Sequence, residues 1–168
     1  KVELLLKELR GRLDDSKAQC ESFRADYLQY EYLWKTDMNQ AFYDFLRDEL
    51  VPHLDGAWRL DGHRALFGHS MGGLFTLYAL TRHDDAAPLF TGFVAASPSL
   101  FWDGGQFFTR WAALRDPATP LVLFSTAGQL EGPEMVTFFD ELADRAQAAQ
   151  YERLGTEFRK YQVDHVGS

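Results

Sequence analysis

The chain has 168 residues, with 25 Asp and Glu against 17 Lys and Arg, a formal charge of −8. That length fits one compact domain with a sizeable core. The acidic balance argues against nucleic acid and anionic membrane surfaces as partners, since neither finds a basic stripe to bind. A single cysteine, Cys20, rules out an internal disulfide framework and offers no pair for a zinc site. No apolar stretch approaches the roughly 18 to 20 residues that span a bilayer, and Lys1-Val2-Glu3 does not open a signal peptide. A cytoplasmic location is the expectation, weakly constrained because the chain also lacks an initiator Met and leaves room for a removed leader or upstream region.

Residues 2–54 carry helical periodicity. Val2, Leu5, Leu6, Leu9 and Leu13 share one face, and Phe42, Phe45, Leu46 and Leu50 repeat the spacing further on. Asp37 or Asn39 can cap the second helix, and Pro52 with Gly56 is expected to end it. Between the two helices, Tyr27, Tyr30, Tyr32, Leu33 and Trp34 form an aromatic cluster, read here as helix packing. After Asp61-Gly62 the period changes. Strands are expected at 64–67, 91–96, 120–126 and 157–163, and helices at 72–81 and 133–151. Strands alternating with helices imply βαβ crossovers and a parallel sheet. The expected fold is therefore a single α/β domain over 1–168, with a helical region at 1–54 and a mostly parallel, helix-flanked sheet over 62–168.

In such a sheet the functional groups gather at the carboxyl ends of the strands. Gly68-His69-Ser70-Met71-Gly72-Gly73 follows the first strand and precedes a helix, the setting in which G-x-S-x-G forms a nucleophile elbow. Glycines on both sides of Ser70 suit a crowded turn, and the helix that follows aims unpaired N–H groups at a forming oxyanion, with Met71 N–H as one donor. A serine hydroxyl needs a general base oriented by an acid. His165 lies just past the last strand and fits the chain order Ser, acid, His. His69 competes by proximity, but its side chain points away from the Ser70 oxygen and is expected to line the substrate pocket or support the elbow. His53, His63 and His83 read as surface residues. Glu131, after the third strand, is the acid expected from position, with Glu134 and Asp164 as the alternatives. Glu134 reads as an ordinary helix start, and Asp164 diverges from its neighbour His165.

These segments, together with Ala96-Ser97-Pro98-Ser99-Leu100-Phe101-Trp102-Asp103 and Gly128-Gln129-Leu130-Glu131-Gly132-Pro133-Glu134, resemble the Putative esterase family of α/β-hydrolases. That group includes esterase D, siderophore esterases and mycolyltransferases. The resemblance runs from about Phe42 to Ser168. It implies Ser70 as nucleophile, His165 as base and Glu131 as acid, acting on a small-molecule ester without metal or organic cofactor. Phe101 and Trp102, with Phe107 and Phe108, would either wall an apolar acyl or aryl pocket or pack as ordinary core.

The chain departs from the family pattern in two respects. Members carry strands and a second oxyanion donor ahead of the elbow, where this sequence reads as helices, and they continue into a further helix after the base. The reduced sheet is expected to have an uncovered face, and a homodimer through the region before Leu54 is the expected remedy. A non-catalytic, hydrolase-like module acting through such an interface is the competing functional reading.

Overall fold

The computed structural model describes residues 38–83, 88–102 and 104–168. The chain divides into two compact units, Lys1–Phe42 and Tyr43–Ser168. The apolar stripe from Val2 to Leu13, Cys20, the cluster from Tyr27 to Trp34 and most of the expected homodimer contact fall outside the described residues.

Helix α1 (Met38–Phe45) passes through a π-helical turn, Leu46–Leu50, into α2 (Val51–Ala57). Tyr43, Leu46 and Val51 are buried. The step of five from Leu46 to Val51 crosses the π turn, whose wider winding keeps both residues on one face. Pro52 does not end this helix, contrary to expectation. It sits in the first turn of α2, directly after the wider π turn, where a missing N–H and the ring are accommodated. The helix stops instead at Trp58, which is extended and donates its N–H to the Leu54 carbonyl at 2.9 Å. Asn39, a candidate cap, lies inside α1.

The sheet has four parallel strands in sequential order: β1 (Ala65–His69), β2 (Gly92–Ala96), β3 (Leu121–Gly128) and β4 (Leu154–Tyr161). The expected strands are all present, with β4 beginning three residues early. Its start is fixed by Leu121, which pairs with Leu154 and donates its N–H to the Arg153 carbonyl at 2.8 Å. Helices α3 (Met71–Leu80), α4 (Phe107–Ala112) and α5 (Pro133–Ala149) make the crossovers.

Sequential strand order with right-handed crossovers returns each helix to the same side of the sheet. One cross-strand row, Gly68, Ala95, Ser125 and Phe158, faces that side. A Cβ at Gly68 would overlap the Gly72 carbonyl, so α3 lies directly against β1. At the other end Phe139 of α5 packs edge-on against Phe158, ring centres 5.9 Å apart. Leu74, Leu77, Leu80, Leu123 and Leu142 complete the buried layer, each contributing about 1.5 to 3 kcal/mol by leaving water. On the opposite side Phe67 is 68% exposed and Val122 58% exposed.

Helix α4 was not foreseen. Phe107, Phe108 and Trp111 are buried in it. Phe108 stacks on Phe138 of α5, and Trp111 meets Tyr151 edge-on. Phe107 and Phe108 are thus core residues of the α4–α5 layer. Among the described residues, no helix is long and apolar enough to cross a membrane.

Candidate active site

The carboxyl ends of the four strands bring the singled-out segments to one edge of the sheet. Ser70 occupies the turn between β1 and α3 with φ +59° and ψ −118°, a region costly for a residue with a Cβ and held only where surroundings enforce it. They do so here. Ser70 N–H donates to the Ala96 carbonyl at 2.9 Å, and the Ser70 carbonyl accepts from Leu74 N–H at 3.0 Å and Ser99 N–H at 3.1 Å. The crowding falls on Gly68 and Gly73, since a Cβ at Gly73 would stand 2.9 Å from the Ala96 oxygen. Gly72, the second glycine of G-x-S-x-G, has open space at that position. Met71 is the first residue of α3, where a backbone N–H has no acceptor within the helix.

Ser70 Oγ stands 2.9 Å from His165 Nε2, and His165 Nδ1 stands 2.9 Å from Glu131 Oε2. Nδ1 therefore holds the proton it gives the carboxylate, and Nε2 of the neutral ring is left as acceptor for the Ser70 hydroxyl. The His165 side chain is 40% exposed while that of Glu131 is 1% exposed. Glu131 Oε1 accepts the Gly128 N–H at 2.5 Å and the Ser97 hydroxyl. Burial by itself pushes the Glu131 carboxyl up. The hydrogen bonds from Ser97, Gly128 and His165 outweigh it and hold the group below the usual carboxylate range. Ser97 is fully buried with φ +40°, a second strained serine in the cluster, and also touches Ser168 Oγ.

His69 is not part of the cleft wall. Its Nε2–H donates to the His165 backbone carbonyl at 2.7 Å, so it supports the loop that carries His165. Asp164 diverges as expected, its Oδ1 accepting Val166 and Gly167 N–H at 3.1 Å each. Glu134 lies exposed in the first turn of α5, and His53 and His63 are exposed, whereas His83 is half-buried. A cleft of about 320 Å³ opens at Ser70, lined also by Met71, Phe101, Trp102, Gly132 and Met135 and by Ser99, Glu131 and His165. Phe101 and Trp102 are among the residues that line this cleft. Sequence reasoning missed Ser97, Ser99 and Met135. The first two stand in the Ser-Pro-Ser motif, and only the tertiary contacts distinguish them from turn residues. Among the described residues, no three His, Cys, Asp or Glu side chains gather to hold a metal ion.

The family model described as Putative esterase matches residues 14–166. The chain belongs to that family. This esterase-family chain is 27% identical over 130 residues to the ferri-bacillibactin esterase BesA of Bacillus subtilis, covering 73% of this chain and 44% of that protein. It is 35% identical over 99 residues to a siderophore enterobactin esterase of Emericella nidulans, covering 55% and 32%. Among solved structures, the BES protein from Bacillus cereus superposes with a TM-score of 0.69 at 27% identity, over 76% of this chain and 48% of that one. An IroE-like serine hydrolase from Shewanella oneidensis gives 0.67 at 25%, over 74% and 42%. The fold is thus α/β-hydrolase-like, and the chain spans less than half the length of these relatives.

Proposed function

We propose that this member of the esterase family is a serine carboxylic-ester hydrolase acting through an acyl-enzyme. The observation that carries the proposal is the continuous relay from Ser70 Oγ through His165 to Glu131, each step 2.9 Å. Ser70 Oγ attacks the ester carbonyl as its proton passes to His165 Nε2, and the carbonyl electron pair moves onto oxygen opposite Met71 N–H. Glu131 stabilises the imidazolium that results. His165 then protonates the departing alcohol, and water, deprotonated by the same imidazole, releases the acid and frees Ser70.

Phe101, Trp102, Met71 and Met135 make the cleft apolar, which suits an acyl or aryl group next to the scissile bond. Relatives named as siderophore esterases put siderophore esters first among the substrates to test. Acyl transfer to an alcohol in place of water would use the same residues. Turnover of a short p-nitrophenyl ester by Ser70→Ala and His165→Ala tests the relay. Both variants should fall by a similar factor, on the order of 10⁴ or more, because nucleophile and base act as one unit. Parent-level turnover by either variant contradicts the proposal.

A further inference from the structure

We infer that Ser99 is a further catalytic residue, a hydroxyl donor to the Ser70 oxygen; the inference rests on Ser70 being the nucleophile. The argument is a count of hydrogens. Glu131 is an ionised acceptor, so His165 keeps its hydrogen on Nδ1, and the single hydroxyl hydrogen of Ser70 points to Nε2 at 2.9 Å. Ser70 Oγ also lies 3.2 Å from Ser99 Oγ. With the Ser70 hydrogen committed to His165, that contact is a hydrogen bond only if Ser99 supplies the proton.

Ser99 is built for this. It is 4% exposed, so water does not compete strongly for its hydroxyl, and it lines the cleft. Its backbone N–H donates to the Ser70 carbonyl at 3.1 Å, so the two serines are tied by main chain and side chain alike. Pro98 restricts the turn that presents it, and Leu100, 1% exposed, anchors the next position in the core.

As the Ser70 proton moves to His165 ahead of full bond formation to the ester carbon, partial negative charge rests on Oγ in the transition state, before it passes to the carbonyl oxygen. A neutral hydrogen bond then becomes charge-assisted, stronger in the transition state than in the resting enzyme. Ser99 keeps its own proton throughout; only the Ser70 proton moves. Ser97 and Ser99 thus brace opposite ends of the relay from one turn: Ser97 holds the acid, and Ser99 touches the nucleophile.

The test uses the full chain, p-nitrophenyl acetate and a fluorophosphonate probe. Ser99→Ala should lower kcat about 10- to 100-fold, somewhat less than the loss of an oxyanion-hole donor, with KM changed less than about twofold. The rate of phosphonylation at Ser70 should fall in parallel, in protein whose melting temperature matches the parent. Ser99→Thr, which restores the hydroxyl, should be faster than Ser99→Ala in both assays. Parent-level rates for Ser99→Ala, or Ser99→Thr no faster than Ser99→Ala, overturn the inference. Failure of the probe to mark Ser70 in the parent would instead overturn the underlying nucleophile assignment.

Discussion

The imidazole of His69 donates its Nε2–H to the backbone carbonyl of His165 across 2.7 Å, and the two rings lie 4.7 Å apart. His69 ends β1 and His165 follows β4, strands at opposite edges of the sheet. The bond therefore fixes a loop that has crossed the whole carboxyl edge to reach Ser70.

His69→Leu should lower kcat by about tenfold through misplacement of the base, far less than His165→Ala. His69→Gln, whose amide can place an N–H near the same position, should recover most of the loss. Steady-state kinetics of the three variants decide the point. A His69→Leu as inactive as His165→Ala would make His69 the base.

Glu131 links activity to acid stability. Its folded pKa is depressed, so ionised Glu131 stabilises the fold at neutral pH, and that contribution is lost as pH falls from the ordinary carboxylate value through the lower folded one. Glu131→Gln should lower kcat by roughly 10² to 10⁴. It should also flatten the decline of melting temperature between neutral pH and pH 3. Parallel melting curves for parent and variant across that range would mean that the carboxylate is not held as described.

The glycines of the turn should respond unequally. Gly68→Ala and Gly73→Ala push a methyl into backbone, and each should cost about 3 kcal/mol or more. Gly72→Ala meets nothing and removes a glycine from the first turn of α3, so stability should stay level or rise by up to about 1 kcal/mol. Thermal unfolding of the three variants checks the order, and a Gly72→Ala as damaging as Gly68→Ala would refute it.

Much of this arrangement was legible in the sequence. Switching periodicity after Gly62 marked the strands, and parallel strands oblige their carboxyl ends to share an edge, which is why Ser70, Glu131 and His165 could be named together. The misses have physical causes. The exposed side chains of the edge strand β4 hid its first residues, whose pairing with Leu121 is a tertiary fact. Helix α4 is six residues long, too short for a periodic signal, so nothing in the sequence separates core from pocket lining for its aromatics. Pro52 read as a terminator because nothing in the sequence announces the π turn before it. The hydroxyls of Ser97 and Ser99 gained meaning only when β2 placed them between Glu131 and Ser70. Sequence alone leaves His69 between lining the pocket and supporting the elbow, because its partner, a main-chain carbonyl 96 residues away, leaves no mark there.

The central claim is a covalent bond at Ser70, and trapping it tests the account most directly. Protein quenched in acid during turnover of p-nitrophenyl acetate, digested and weighed by mass spectrometry, should carry one acetyl group on the peptide containing Ser70. The Ser70→Ala protein should carry none. Ester turnover by the parent with no modification at Ser70, or with equal acetylation of the Ser70→Ala protein, would contradict it.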